Sequence, residues 1–450
     1  MVNYMIRKCI AKVAISLKSK ESLKYANEMK KLFYSNREEV EKYQKQKLSD
    51  LLLYAYGHTA YYSRIFDEIG LVKDGVLHWE NYDKIPILTK DIIRKEGNNL
   101  VSDECEQRHA YFNTSGGSTG EPVTFVQDKY YFRYNFGDKI LFGLLNDKEP
   151  GERELKLWGS ERDIKEGSIG IKEKLINFAY NRKLLNSFML TEDKMESYTE
   201  CINKEKPRQI WTYADSIYQL SKYILEKNMK MYSPHNIITT AGVLYEEMRA
   251  VIQQAFPKSR ILNQYGSREA GAIGLEVNGE RGIRVFEHAI FMEMYNQNEN
   301  TISQYGDGEI LITNLTNYSM PLIRFNIGDT GTHVRCDDAH VGEYSILSTL
   351  HGRVNSHIKL KDGTIIHGEY FTHIFYGKNW VENFQVVQHS YDEVEIFIVV
   401  RKGKEACDKD LEEMKKDIYL VMGECNITVT YCKSIPKLKS GKYQFVISEV

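Results

Sequence analysis

The chain has 450 residues, 42% hydrophobic and 27% charged, enough to bury one large core plus a smaller one and too many for a single small domain. Its formal charge of −2, from 60 Lys+Arg against 62 Asp+Glu, excludes bulk attraction for nucleic acid. A mean hydropathy of −0.46, with no apolar run long enough to cross a bilayer, excludes an integral membrane protein.

In chain order, the stretch from Arg7 to Lys20 reads as a basic amphipathic helix. It is either an ordinary surface helix, the simpler reading, or one that touches a membrane surface. Lys12 and Lys18 interrupt its apolar stretches, so no signal peptide is expected. Residues 22 to about 70 are predicted helical, with Leu48, Leu51, Leu52 and Ala55 at helical spacing. The densest small-residue stretch, Thr114-Ser115-Gly116-Gly117-Ser118-Thr119-Gly120, precedes a strand over Val123 to Val126.

Helical and extended segments then alternate. Ile217, Leu220, Ile224 and Leu225 mark a helix, and Asn236 to Gly242 a buried strand ending in glycine. Met248, Val251, Ile252 and Ala255 mark another helix, followed by a short strand from Ile261 to Tyr265. This alternation predicts an α/β fold. After Glu309–Thr313 the pattern is strand-rich. Phe384–Gln388, Val394–Val400 and Ile427–Tyr431 read as strands, and Asp408–Met422 as a helix with the aspartate as N-cap. A boundary near Gly352-Arg353 divides the chain into a large domain, 1–351, with mixed sheets and helices, and a small α+β domain, 352–450.

Seven cysteines are dispersed without a CxxC pair, which suits reduced thiols in a cytosolic protein better than disulfides or zinc. His288 and His333 lack metal-ligand spacing and read as structural, or as supporting residues just behind a site. Trp158, Trp211, Tyr213 and Tyr218 read first as core, the alternative being an aromatic acyl pocket.

Five stretches can carry chemistry. The 114–120 loop offers four hydroxyls and glycines that tolerate positive φ, a composition able to wrap phosphate oxygens or to form a plain surface loop. It is no Walker loop, since no Gly-Lys-Ser/Thr follows. Asn263-Gln264-Tyr265-Gly266-Ser267-Arg268-Glu269 ends a strand in an aromatic able to cover a base and a carboxylate able to hold Mg²⁺. Taken alone, a strand–turn–helix junction with Glu269 solvated is the simpler reading. Pro321 to Asp329 places an aspartate after Gly328, where two acceptor oxygens suit ribose hydroxyls or an ordinary turn forms. Gly352-Arg353-Val354-Asn355-Ser356 and Ser440-Gly441-Lys442 complete the set, Lys442 being a mobile point charge for phosphate or a solvated tail lysine.

The order and spacing of these stretches over nearly the whole chain resemble the adenylate-forming superfamily. The branch that looks closest is the phenylacetate–CoA ligase-like one, with its capsular polysaccharide biosynthesis proteins. The resemblance rests also on Ala60-Tyr61-Tyr62-Ser63-Arg64 and Phe384-Gln385-Val386-Val387-Gln388. It implies ATP-dependent activation of a carboxylic acid as acyl-adenylate, with pyrophosphate released and Mg²⁺ as partner ion. Thr114 to Gly120 then bind phosphate, with Thr119 catalytic. Tyr265 and Gly266 meet adenine, Glu269 associates with Mg²⁺, Asp329 and Arg353 hold ribose, and Gly242 and Val243 wall the adenine and acyl pockets. Lys442 stabilises adenylation and withdraws as a mobile small domain turns about Ser356. CoA is the first expected acceptor, and an amine or hydroxyl of a sugar or amino compound the second. A non-catalytic nucleotide-binding scaffold is the third reading, and a homodimer is left open. The chain departs from the family pattern at Glu121, Val243 and Ser356, where relatives often carry lysine, an acid and the hinge acid.

Overall fold

The computed structural model describes residues 2–114, 123–159, 171–242, 244–338, 342–351, 357–375, 378, 380–435 and 444–450. Four helices open the chain: α1 (Val2–Lys18), α2 (Lys20–Phe33), α3 (Arg37–His58) and α4 (Ala60–Ile69). The single helical region expected over 22–70 is thus broken, and each break has a local cause. Asn36 Oδ1 accepts from Glu39 N at 3.0 Å and caps α3. The Thr59 hydroxyl accepts from Tyr62 N at 3.4 Å, and Gly70 ends α4 in the left-handed region. Leu48, Leu51, Leu52 and Ala55 form the buried stripe of α3.

A two-strand ribbon, β1 (Val72–Lys73) with β2 (Val76–Leu77), and α5 (Lys90–Glu96) lead to the hairpin β3 (Tyr111–Thr114) and β4 (Thr124–Gln127). Then come α6 (Lys129–Leu145), β5 (Glu154–Trp158), α7 (Ile171–Ala179), β6 (Arg182–Asn186), β7 (Met189–Leu190), α8 (Glu192–Glu205), β8 (Gln209–Tyr213), α9 (Ala214–Glu226), β9 (Asn236–Thr240), α10 (Glu246–Ala255) and β10 (Arg260–Ser267). Strands β6, β5, β8, β9 and β10 pair in parallel in that order. Every residue of β8 and β9 is buried, as strands covered on both faces must be.

The sheet continues antiparallel through β11 (Gly271–Leu275), β12 (Ile283–Val285), β13 (Ile290–Asn296), β14 (Thr301–Ser303), β15 (Gly306–Asn314), β16 (Phe325–Asp338) and β17 (Gly342–His351), giving twelve strands in the order β14-β13-β15-β16-β17-β12-β11-β10-β9-β8-β5-β6. Helices α3 and α4 pack their apolar faces with β13, β15 and the start of β16.

The chain ends in β18 (His357–Lys359), β19 (Ile365–His367), α11 (Gly368–Ile374), β20 (Val381–Ser390), β21 (Glu393–Val400), α12 (Asp408–Met422), β22 (Asn426–Tyr431) and β23 (Val446–Ser448). Strands β22-β21-β20-β23 form a separate sheet, cored by Phe384, Val386, Ile396 and Ile398 against Met414, Ile418 and Val421 of α12. The N-cap of α12 is Cys407, without a side-chain cap, rather than Asp408 as expected; Asp408 and Asp410 instead lie in the first turn, where acids favour the helix dipole. This terminal unit meets the preceding chain in a separate three-stranded sheet, β18-β19-β7, where β19 pairs with β7 as Ile365↔Leu190 and Ile366↔Met189. Phe188 and Tyr213 share its apolar cluster with Tyr370.

All seven cysteines are free thiols. Among the described residues no helix is long and apolar enough to cross a membrane.

Candidate active site

In an open parallel sheet the crevice beyond the carboxyl ends of the strands is the natural ligand position, because backbone and loops open outward there. Here that edge carries Trp158, Tyr213, Thr240 followed by Ala241-Gly242, and Tyr265-Gly266. Four of the expected site residues, Gly242, Tyr265, Gly266 and Glu269, fall on it or just beyond.

Strand β10 does not stop at Gly266. It runs to Ser267 with an irregular register between Tyr265 and Gly266, and a tight turn returns as β11 rather than as a helix. The strand–turn–helix junction considered from sequence is therefore a strand–turn–strand junction. Glycine is required at 266, since a Cβ there would lie 2.5 Å from Gly271 O and 2.8 Å from Gln264 Nε2. At 242 a Cβ would meet only Ala214, at 3.9 Å, so space rather than crowding surrounds that position.

Asp329, read as a turn residue or a ribose acceptor, lies within the long strand β16 and not in a turn. Gly328 before it has φ 87, a region where glycine is favoured, and the β15–β16 register shifts between Glu309 and Leu311. The carboxylate is half-buried, and its Oδ2 accepts from the Tyr265 hydroxyl at 2.9 Å. Residues 64 positions apart are thereby joined. The hydroxyl fixes one carboxylate oxygen, and a carboxylate has a second acceptor oxygen. The Tyr265 ring itself is buried in the main core.

Thr114, the one described residue of the 114–120 loop, ends β3 opposite Thr124. The hairpin that carries this loop is tied to the β10–β11 turn by one amide. Gln127 Nε2 donates to Arg268 O at 2.7 Å, while its Oε1 accepts from Asn113 Nδ2 at 3.0 Å. Below, Asn317 Nδ2 donates to Val126 O at 2.8 Å. Asn314 Nδ2 reaches the carbonyls of Glu269 and Ala270 at 3.5 and 3.4 Å. Asp128, fully buried, caps α6 through Tyr131 N at 2.7 Å and pairs with Arg108 at 2.7 Å. Sequence reasoning missed Gln127, Asn314 and Asn317, because an amide bridging distant loops leaves no periodic or compositional mark.

Glu269 is buried, and its carboxylate has no hydrogen bond or ion pair among the described residues. Burial, followed by the charges of Tyr111 and Glu269, raises the pKa of the Tyr131 hydroxyl. Among the described residues no three His, Cys, Asp or Glu side chains cluster to hold a metal. This donor set fits Mg²⁺ bound by one carboxylate together with substrate phosphate oxygens.

Ser115, Gly116, Gly117, Ser118, Thr119, Gly120, Val243, Arg353, Ser356 and Lys442 lie outside the described residues. The aromatic candidates divide. Trp211 is core, its ring 5.6 Å from that of Phe142. The Trp158 and Tyr213 rings meet at a tilt, centroids 4.6 Å apart, against the apolar cluster of the C-terminal unit. His288 is buried against Asp138 at 2.8 Å, and burial pushes His333 down to about 4; both are structural. A separate cleft of about 380 Å³, walled by Tyr25, Tyr43, Tyr130, Tyr134 and Tyr318, takes in His288 but none of the expected nucleotide-site residues.

Comparison with solved structures bears on the fold. 2-Hydroxyisobutyryl-CoA ligase in its thioesterification state, in complex with 2-HIB-AMP and CoA, superposes with a TM-score of 0.61 and 15% identity, over 92% of this chain and 91% of that one. Its open conformation with the same ligands gives 0.57 and 14% over 92% of each chain. Its postadenylation state with 2-HIB-AMP gives 0.57 and 14% over 92% and 90%. No curated protein matches the sequence. The chain has the α/β fold of the adenylate-forming ligases. Within it, residues 358–449 match the CapK C-terminal domain family.

Proposed function

We propose that this chain is an AMP-forming acid ligase: it activates a carboxylic acid as acyl-adenylate and passes the acyl group to an acceptor. The observation that carries this reading is the Tyr265–Asp329 hydrogen bond of 2.9 Å at the carboxyl edge of the parallel strands. It pre-orients an acceptor carboxylate where a ribose would sit, beside a glycine-tight backbone bulge.

In the proposed reaction, an oxygen of the substrate carboxylate attacks the α-phosphorus of ATP. The bond from that phosphorus to the bridging oxygen breaks, and pyrophosphate leaves. Two anions must approach, so positioning and charge masking dominate. Glu269 would hold Mg²⁺, which when bound neutralises phosphate charge. Thr114 and the loop through Gly120, Thr119 included, would surround the phosphates, anchored at their base by Gln127. Asp329 and Arg353 would hold the ribose, and Tyr265, Gly266, Gly242 and Val243 the adenine and acyl walls. Lys442 would offset the developing charge. Residues 352–450 would then turn as a mobile domain about Ser356 and admit the acceptor.

The thiol of CoA is the first acceptor proposed. An amine or hydroxyl of a sugar or amino compound, in surface polysaccharide assembly, is the second. It draws on the CapK C-terminal match over residues 358–449, the unit that would admit the acceptor. Acid-dependent exchange of labelled pyrophosphate into ATP, screened over a panel of acids, tests activation. No exchange with any acid would favour a non-catalytic scaffold. AMP release with and without CoA separates the two acceptors.

A further inference from the structure

Helix α1 is amphipathic on two sides. Its inner face buries Ala11 and Ile15, 1% and 6% exposed. Lys8 anchors it through Glu149 and Glu152 at 3.1 and 3.2 Å. The contact is close: a Cβ on Gly151 would lie 2.5 Å from Lys8 O and 2.9 Å from Lys12 N. The helix is therefore seated, not loosely attached.

Its outer face is the anomaly. Met5, Ile6, Ile10, Val13 and Leu17 are 63%, 52%, 48%, 57% and 79% exposed. At helical spacing they fall in one arc of about 140°. Helix α7 packs alongside and adds Leu175 and Phe178, 65% and 56% exposed, with the Arg7 guanidinium 4.5 Å over the Phe178 ring. Scattered exposed apolar side chains are ordinary, but a contiguous stripe rimmed by charge marks an interaction surface.

We infer that this face docks on an anionic lipid surface. The rim decides the occupant. Of the basic residues of α1, Arg7 and Lys12 border the stripe while Lys8 is held on the inner side by Glu149 and Glu152, and the helix carries no acidic residue. A second copy meeting the same face would bring like charges together at a self-complementary interface. Anionic headgroups satisfy those charges while the stripe enters the acyl boundary. The helix lies on the surface, since no described helix can span a bilayer. The inference stands apart from the adenylation chemistry and uses none of its residues.

The test is sedimentation of the full chain with vesicles of phosphatidylcholine alone or mixed with phosphatidylglycerol, alongside analytical ultracentrifugation without lipid. Binding is expected to the mixed vesicles and to fall with salt. Ile10→Asp combined with Leu17→Asp, both at exposed positions, should weaken it at least about tenfold with an unchanged circular dichroism spectrum. Lys12→Glu alone should weaken it about fivefold. No vesicle binding, equal binding to both vesicle types, or binding untouched by these variants overturns the inference. So does a dimer lost in the double variant without any lipid binding.

Discussion

At the scale of single residues, the account turns on what holds Asp329. Tyr265→Phe deletes only the hydroxyl that orients the carboxylate. It should raise the KM for ATP by about 1 kcal/mol, or roughly fivefold, with the fold intact. Asp329→Ala removes the acceptor itself and should cost about 1.5–3 kcal/mol in kcat/KM for ATP. Pyrophosphate exchange at varied ATP measures both, and equal values for wild type and Asp329→Ala would refute the assignment. Gln127→Leu cuts the tie to the carbonyl of Arg268 and should slow exchange while leaving the thermal midpoint nearly unchanged.

Much of this residue-level arrangement is invisible in one dimension. The Gly328-Asp329 pair reads as a turn, because glycine followed by aspartate favours one. Instead the long pairing of β16 with β15 and β17 overrides that preference and keeps the pair in a strand. Tyr265 and Asp329 each have ordinary alternative explanations, and only the resemblance set them together before the fold was known. Gln127 gave no signal, since its partner is 141 residues away.

At the scale of elements, the legible parts are those with a local signature. β9 is a buried apolar run stopped by glycine, β21 a β-branched strand, and α12 a helix with acids at its start. The break between α3 and α4 depends on a single threonine cap within an otherwise continuous helical pattern, and is not legible.

The junction between β13 and β16 rests on a buried cation that sequence reasoning passed over. Arg324 is 1% exposed and in the left-handed region at φ 49. It pairs with Glu293 at 2.8 Å and donates to the carbonyls of Asp83 and Ile85 at 3.0 and 2.9 Å. Arg324→Met leaves Glu293 buried without its cation, with only the Tyr82 hydroxyl still donating to it, so about 3–5 kcal/mol should be lost; the urea midpoint measures it.

His333 gives the same sheet a pH dependence. Burial lowers its pKa from 6.5 to about 4, so the unfolded chain binds the proton first. Stability should therefore fall as pH drops from 6.5 toward 4. His333→Gln should flatten that slope in denaturation curves taken across this window.

At the scale of the whole molecule, the C-terminal unit meets the preceding chain through one strand pairing, β19 with β7, and an apolar contact at Phe188 and Tyr213. That junction is compatible with the proposed turn of residues 352–450 between adenylation and acyl transfer. Lys442→Ala should reduce exchange roughly a hundredfold without changing the thermal midpoint. Ser356→Pro should slow acyl transfer more than adenylation. Equal loss in both half-reactions would count against a hinge at that position.

The central claim is spatial: one nucleotide site at the carboxyl edge of the parallel strands. A crystal structure of the chain grown with ATP and Mg²⁺ tests it most directly. The account predicts adenosine against Tyr265 and Gly266, with its ribose hydroxyls on Asp329 and the phosphates toward Thr114 and Glu269. A nucleotide bound instead in the tyrosine-walled cleft of Tyr25, Tyr43 and Tyr318, with the carboxyl edge empty, would contradict it.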